Sequence, residues 1–77
     1  MKSYNYRILL RREPEGGYTV TVPALHGCIS YGITIEDAIK NAKEAIELYI
    51  KTLIEFNEEI PSEEEVLEYN LSIINNG

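Results

Sequence analysis

Seventy-seven residues, of which 44% are hydrophobic and 26% charged, suffice for one small domain, and chains of this size often complete their core by disulfides, metal or self-association. The single cysteine excludes an internal disulfide, no apolar run approaches the roughly 20 residues that span a bilayer, and no apolar segment follows Lys2 as it would in a secretory signal; a soluble, cytoplasmic protein is expected. The formal net charge of −6 opposes the phosphate electrostatics on which nucleic-acid affinity rests and favours a basic protein as partner.

Taken in chain order, Tyr4, Tyr6, Ile8 and Leu10 fall on one parity and Asn5, Arg7 and Arg11 on the other, the period of a half-buried strand. Lys2, Arg7, Arg11 and Arg12 make this first segment basic. Glu13-Pro14-Glu15-Gly16-Gly17 supplies turn residues, and Tyr18, Val20 and Val22 alternating with Thr19 and Thr21 give a second strand, antiparallel to the first. Pro23 ends it, because proline has no amide to donate to a ladder. Cys28 to Tyr31 forms a third short strand closed by Gly32.

A helix is expected from Thr34, which caps it in an approximate capping box with Asp37, while Glu36 and Asp37 suit the positive end of the helix dipole. Ile35, Ala38, Ile39, Ala42, Ile46, Tyr49, Ile50 and Leu53 recur at three- and four-residue spacings and form the stripe that faces the sheet. Lys40, Lys43, Glu44, Glu47 and Lys51 face water, and Glu36–Lys40 and Glu47–Lys51 have the favourable order for pairs worth about 0.2–0.5 kcal/mol each. Pro61 and Ser62 interrupt the pattern, with Ser62 placed to cap a single turn through Glu65. Leu67, Tyr69, Leu71 and Ile73 then alternate with Glu68, Asn70 and Ser72, the period of a last strand. The expected order is β-β-β-α-β: an α/β (α+β) fold with one helix on a mostly antiparallel sheet, in which residues 1–77 make one domain.

The chain offers little to a catalyst. His26 and Cys28 are the only imidazole and thiol, but on an extended strand residues two apart are separated by about 6.5 Å, beyond the reach that a nucleophile and its base require. They supply two ligands where a structural zinc site takes four, the glutamates lack calcium-loop spacing, and Gly16-Gly17 lacks the Lys and Ser/Thr of a phosphate loop. No enzyme activity, metal or cofactor is expected. Cys28 reads as a small apolar filler and His26 as a loop residue available to a partner.

Two features point to a protein partner, and a third to an alternative. Glu55, Glu58, Glu59, Glu63, Glu64, Glu65 and Glu68 follow one another without an intervening Lys or Arg; they read either as a solvated connector or as an attraction for a basic surface, with Glu58 and Glu59 as candidate contacts. Leu9, on the outward parity of the first strand, and Leu48, on the polar side of the helix, are apolar residues out of place and candidates for a partner or for self-association. Arg7, Arg11, Thr19 and Thr21 on the outer sheet face, with Tyr31, could alternatively form a weak RNA-binding platform.

Gly17-Tyr18, Val22-Pro23, Gly27-Cys28, the helix from Thr34 to Ile50 and the exit Glu59-Ile60-Pro61 together resemble the HicB-like antitoxins, the antitoxin half of HicA/HicB toxin–antitoxin pairs, over about Tyr6 to Pro61. The resemblance implies a truncated ribonuclease-H-like sheet-and-helix fold without catalytic acids, and a function in covering the active site of a small basic HicA-type mRNA-cleaving toxin. It transfers no toxin contact position by position, because the matching motif is mainly a folding motif. Many relatives carry proline where His26 stands, and many carry a C-terminal DNA-binding domain with no counterpart in these residues, so DNA binding by this chain alone is not expected. A homo-oligomer is expected in either case, and a solitary oligomeric module without a toxin is the alternative that the resemblance leaves open.

Overall fold

The computed structural model describes residues 3–76. Strands β1 (Leu9–Arg12), β2 (Tyr18–Thr21) and β3 (Ile29–Gly32) form one antiparallel sheet in the order β1-β2-β3. Leu9 pairs with Thr21 and Arg12 with Tyr18, while Thr21 pairs with Ile29 and Tyr18 with Gly32. The β1–β2 turn closes through the Glu13 amide on the Gly17 carbonyl and the Gly16 amide on the Glu13 carbonyl, both 3.0 Å. Gly16 and Gly17 hold φ of 109° and 82° there, a region that side-chain-bearing residues rarely occupy.

The first strand begins later than its alternation suggests, since residues 4–8 carry no ladder. Extending the β1–β2 register places Arg7 opposite Pro23, which has no amide to donate, and the Val22 amide is already given to the Cys28 carbonyl at 3.3 Å. The alternation still holds in packing, for Tyr6 and Ile8 lie against the core. From Val22 to Cys28 the chain makes two successive turns, with the Leu25 amide on the Val22 carbonyl at 2.9 Å and the Cys28 amide on the Leu25 carbonyl at 3.0 Å. Those turns drive Leu25 inward, where it is fully buried with Val22 and Cys28.

Helix α1 (Ile35–Glu55) starts as the sequence predicts, with the Thr34 hydroxyl accepting from the Asp37 amide at 3.0 Å. Ala38 and Ala42 are buried against Val20, and the small side chains let the helix lie close to the sheet. Ile46 and Tyr49 pack on the Leu25 cluster, whereas Ile35 and Ile39, expected on the same stripe, remain 45% and 47% exposed beside the contact that Ala38 and Ala42 make with Val20. Among the described residues the recorded ion pairs belong to Arg7, and neither Glu36–Lys40 nor Glu47–Lys51 closes to ion-pair distance. The helix ends in paired turns: the Asn57 amide meets the Ile54 carbonyl at 3.1 Å and the Glu58 amide the Leu53 carbonyl at 2.9 Å, with Asn57 left-handed at φ 55°, the Schellman arrangement.

A 3₁₀ turn at Glu63–Glu65 follows, capped by Ser62, whose hydroxyl accepts from the Glu64 amide at 3.1 Å. The fourth strand expected at Leu67–Ile73 does not form, and among the described residues this segment pairs with no strand. Alternation fixes which side chains would share a face, but a strand also needs an edge within reach. Arg7 holds the start of the segment by ion pairs to Glu63, at 3.0 Å, and to Glu68, and Tyr69, Leu71 and Ile73 beyond it are exposed. The fold is otherwise the expected α+β arrangement of one helix on an antiparallel sheet.

Two consequences can be measured. A Cβ added to Gly32 would stand 2.2 Å from the Ala38 nitrogen and 2.6 Å from the Asp37 carbonyl carbon, so Gly32→Ala must push the helix off β3; overpacking of this kind costs about 1–3 kcal/mol, and urea unfolding should show a loss at the upper end of that range. Burial of Cys28 also raises its thiol pKa by desolvation and removes the thiolate that reacts. Iodoacetamide should therefore modify the native chain at least about tenfold more slowly than the urea-unfolded one, as followed by mass spectrometry.

Candidate functional site

An open apolar groove of about 330 Å³ lies between the start of β3 and the second half of α1, lined by Gly27, Cys28, Ile29, Leu48, Tyr49 and Leu53. Its shape follows from the turn at Val22–Cys28, which is tied to the helix where the Tyr49 hydroxyl donates to the His26 carbonyl at 2.7 Å. Leu48 stands in this groove with 64% of its surface exposed, and the Thr52 hydroxyl donates to its carbonyl at 2.9 Å. An apolar side chain held out on a rigid helix beside a fixed loop has the character of a partner contact, since it can be buried by association at little entropic cost.

The electrostatics at the end of the groove reinforce this. No basic residue stands in the last turn of α1, where cations would complement the negative end of the helix dipole. Glu55, Glu58 and Glu59 occupy that end instead, and the Glu58 amide is bonded to the carbonyl of Leu53, a groove residue. The arrangement costs the isolated helix a few tenths of a kcal/mol and concentrates negative potential beside an apolar surface.

Of the residues singled out from the sequence, Leu48 lines the groove, while His26 and Glu58 are joined to it only through their backbones, the His26 carbonyl accepting from Tyr49 and the Glu58 amide donating to the Leu53 carbonyl. Glu59 is exposed beyond it. Leu9 lies elsewhere, on the outer face of the sheet in one cross-strand row with Thr21 and Ile29, so it reaches the groove only through Ile29. The sequence reading passed over Ile29, Tyr49 and Leu53 as partner-facing residues. Ile29 could have been found, because it has the same outward parity as Leu9, but the Tyr49 contact joins positions 23 residues apart and left no local signal.

His26 and Cys28 do not form a nucleophile–base pair: Cys28 is buried with its pKa raised, His26 is exposed, and no hydrogen bond joins the two side chains. Among the described residues no group of three or more His, Cys, Asp or Glu side chains could hold a metal ion. The outer sheet face does set Arg11, Thr19 and Tyr31 in one row, but the Tyr31 hydroxyl donates to the Gly16 carbonyl at 2.8 Å and its ring end lies where a Gly17 Cβ would stand. The hydroxyl end of that ring is committed to the turn, while the residue remains 49% exposed. Tyr6, whose hydroxyl donates to the Pro61 carbonyl at 2.7 Å, has its pKa raised by burial and by the neighbouring Tyr4 and Glu63; it ties the exit of the chain to the sheet. No helix among the described residues is long and apolar enough to cross a membrane.

Comparison with known proteins finds relatives over most of the chain. A UPF0150 protein of Synechocystis is 51% identical over 61 residues, covering 79% of this chain and 77% of that protein. A UPF0150 protein of Thermoplasma acidophilum is 45% identical over 56 residues, covering 73% and 81%, and an uncharacterized protein of Haemophilus phage HP1 is 43% identical over 53 residues but aligns over only 40% of its own length. The family model described as the HicB-like antitoxin of bacterial toxin–antitoxin systems matches residues 6–74, from the segment that enters β1 through the unpaired stretch after the 3₁₀ turn, and the chain belongs to that family.

Proposed function

We propose that this chain is a non-enzymatic cytoplasmic antitoxin that binds and inhibits a small, basic, HicA-type mRNA-cleaving toxin. The observation that supports this reading is the apolar groove lined by the exposed Leu48, on the half of α1 that runs into the acidic residues Glu55, Glu58 and Glu59. Leu48 and Ile29 supply the desolvated centre of the contact, and Glu55, Glu58 and Glu59 steer and orient a cationic partner. Charged groups at the rim of such an interface chiefly raise the association rate and fix register, whereas the apolar centre supplies most of the affinity. A toxin that acts on RNA needs basic residues where the phosphates lie, and an acidic protein seated over them blocks substrate without any chemistry of its own.

The test is coexpression with the small basic reading frame adjoining the gene, scored by growth rescue and by copurification. Rescue with a stable complex is expected, and Leu48→Asp should abolish both while leaving the circular dichroism of the free chain unchanged, because a central contact of this kind is worth about 2 kcal/mol or more. A complex that forms equally well with the aspartate variant would move the interface away from the groove, and failure of the native chain to bind or rescue would remove the toxin reading.

A further inference from the structure

The groove beside Leu48 runs along an edge of the sheet, and the ladder shows which backbone groups that edge presents. The Val22 amide reaches the Cys28 carbonyl at 3.3 Å, so Val22–Cys28 is a hydrogen-bonded pair, and by alternation Val20–Ser30 and Tyr18–Gly32 are the next two. The β1–β2 turn gives the same answer from the other side. The Glu13 amide on the Gly17 carbonyl makes Arg11–Thr19 and Leu9–Thr21 the bonded pairs there, so Thr19 and Thr21 spend their backbone groups on β1 and have none for β3. Ile29 and Tyr31, which stand opposite them, therefore turn their amides and carbonyls outward, away from the sheet.

One end of this edge is closed and the other is open. At Tyr31 the Asn41 side chain donates to the outward carbonyl at 2.7 Å, in the place that the amide of a neighbouring strand would take, and α1 crowds Gly32 beyond it. Covering an edge in this way guards it against indiscriminate pairing. At Ile29, among the described residues, no turn, loop or side-chain hydrogen bond takes up the amide or the carbonyl, and the residue is 62% exposed. The open end is also the end at which the groove lies, for Cys28 and Ile29 line it from β3 and Leu48 and Leu53 from α1.

We propose that the basic toxin adds an extended strand to the β3 edge at Ile29, bonding the outward amide and carbonyl and placing one apolar side chain in the groove between Cys28 and Leu48. Successive side chains of a strand point to opposite faces, so the neighbours of that residue leave the groove on the outer side of the sheet, beside the Leu9–Thr21–Ile29 row. Main-chain bonds then supply affinity and the side-chain pocket supplies selectivity. Every residue that lines the groove is uncharged, which selects an apolar side chain there. Glu44 stands one turn before Leu48, and Glu55, Glu58 and Glu59 follow it, which selects Lys or Arg on either side of that side chain. Lys43 and Lys51 line other grooves along α1.

This inference rests on the antitoxin reading, and the test separates the two. The complex with the product of the small basic reading frame adjoining the gene is prepared with isotopic nitrogen in this chain and isotopic carbon in the toxin. Its NMR spectrum should show coupling through a hydrogen bond from the Ile29 amide to a toxin carbonyl, and that amide should exchange at least about tenfold more slowly than in the free chain. Ile29→Pro removes an outward amide, which an edge strand tolerates, whereas Ile29→Ala keeps the amide and removes more of the side chain. By calorimetry the proline variant should bind about tenfold more weakly than the alanine variant, the reverse of the order that side-chain size alone would give. The coupling is read on the native chain, so it decides the matter even where Ile29→Pro lowers stability. A stable complex in which the Ile29 amide meets no toxin carbonyl and exchanges freely overturns strand addition and leaves the antitoxin reading standing, as does an alanine variant that binds more weakly than the proline. Absence of any complex overturns the antitoxin reading and this inference with it.

Discussion

The structure depends on how closely one helix approaches three short strands. Ala38 and Ala42 bring the axis of α1 down onto Val20, and Gly32 provides the space in which the first turn of the helix meets the end of β3. Larger residues at these positions would lift the helix and open the space over Val20, because packing at native density leaves no slack of even a methylene. The Leu25 turn is the second support. It plugs the end of the sheet where Pro23 has stopped the ladder, and Ile8 packs against both clusters, so the two halves of the core are one unit.

A core built so economically has a direct consequence for function. The helix is much longer than the strands that it covers, so its second half projects past the sheet and presents Leu48 and Leu53 beside the Val22–Cys28 turn. The Leu48 groove therefore arises from a helix of 21 residues on strands of four. Ile39 is exposed for a different reason, standing to the side of the contact that Ala38 and Ala42 make with Val20. Acidic residues gather at the far end of the helix and along the segment that follows, while Arg11 and Arg12 belong to the first strand and Arg7 to the segment that enters it. One protein of this size can thus present two surfaces of different charge to two different partners.

Much of the fold was legible in the amino-acid sequence. The period-two pattern of β2, the glycine turn before it, the proline after it and the Thr34 cap are all local features whose physics acts within a few residues, and the structure places them as expected. The ends of β1 were less legible because strand length depends on the partner: residues 4–8 alternate correctly, yet Arg7 would face a proline across the ladder. The last segment makes the same point more strongly. Its alternation is as regular as that of β2, but no edge of its own sheet takes it up.

For the site, Leu48 was visible as an apolar residue on a polar helix face, and the glutamates were visible as a run. Their relation was not. The Tyr49–His26 bond, the Ile29 contribution and the seating of Glu58 against Leu53 join residues that the sequence keeps separate. The sequence by itself determined the elements, their order, the family resemblance and the acidic balance, since these rest on local conformational preference, residue periodicity and a sum of charges. Only the tertiary structure decided where apolar surface is left uncovered, because that depends on how far a helix of one length overhangs strands of another, a quantity that no local pattern encodes.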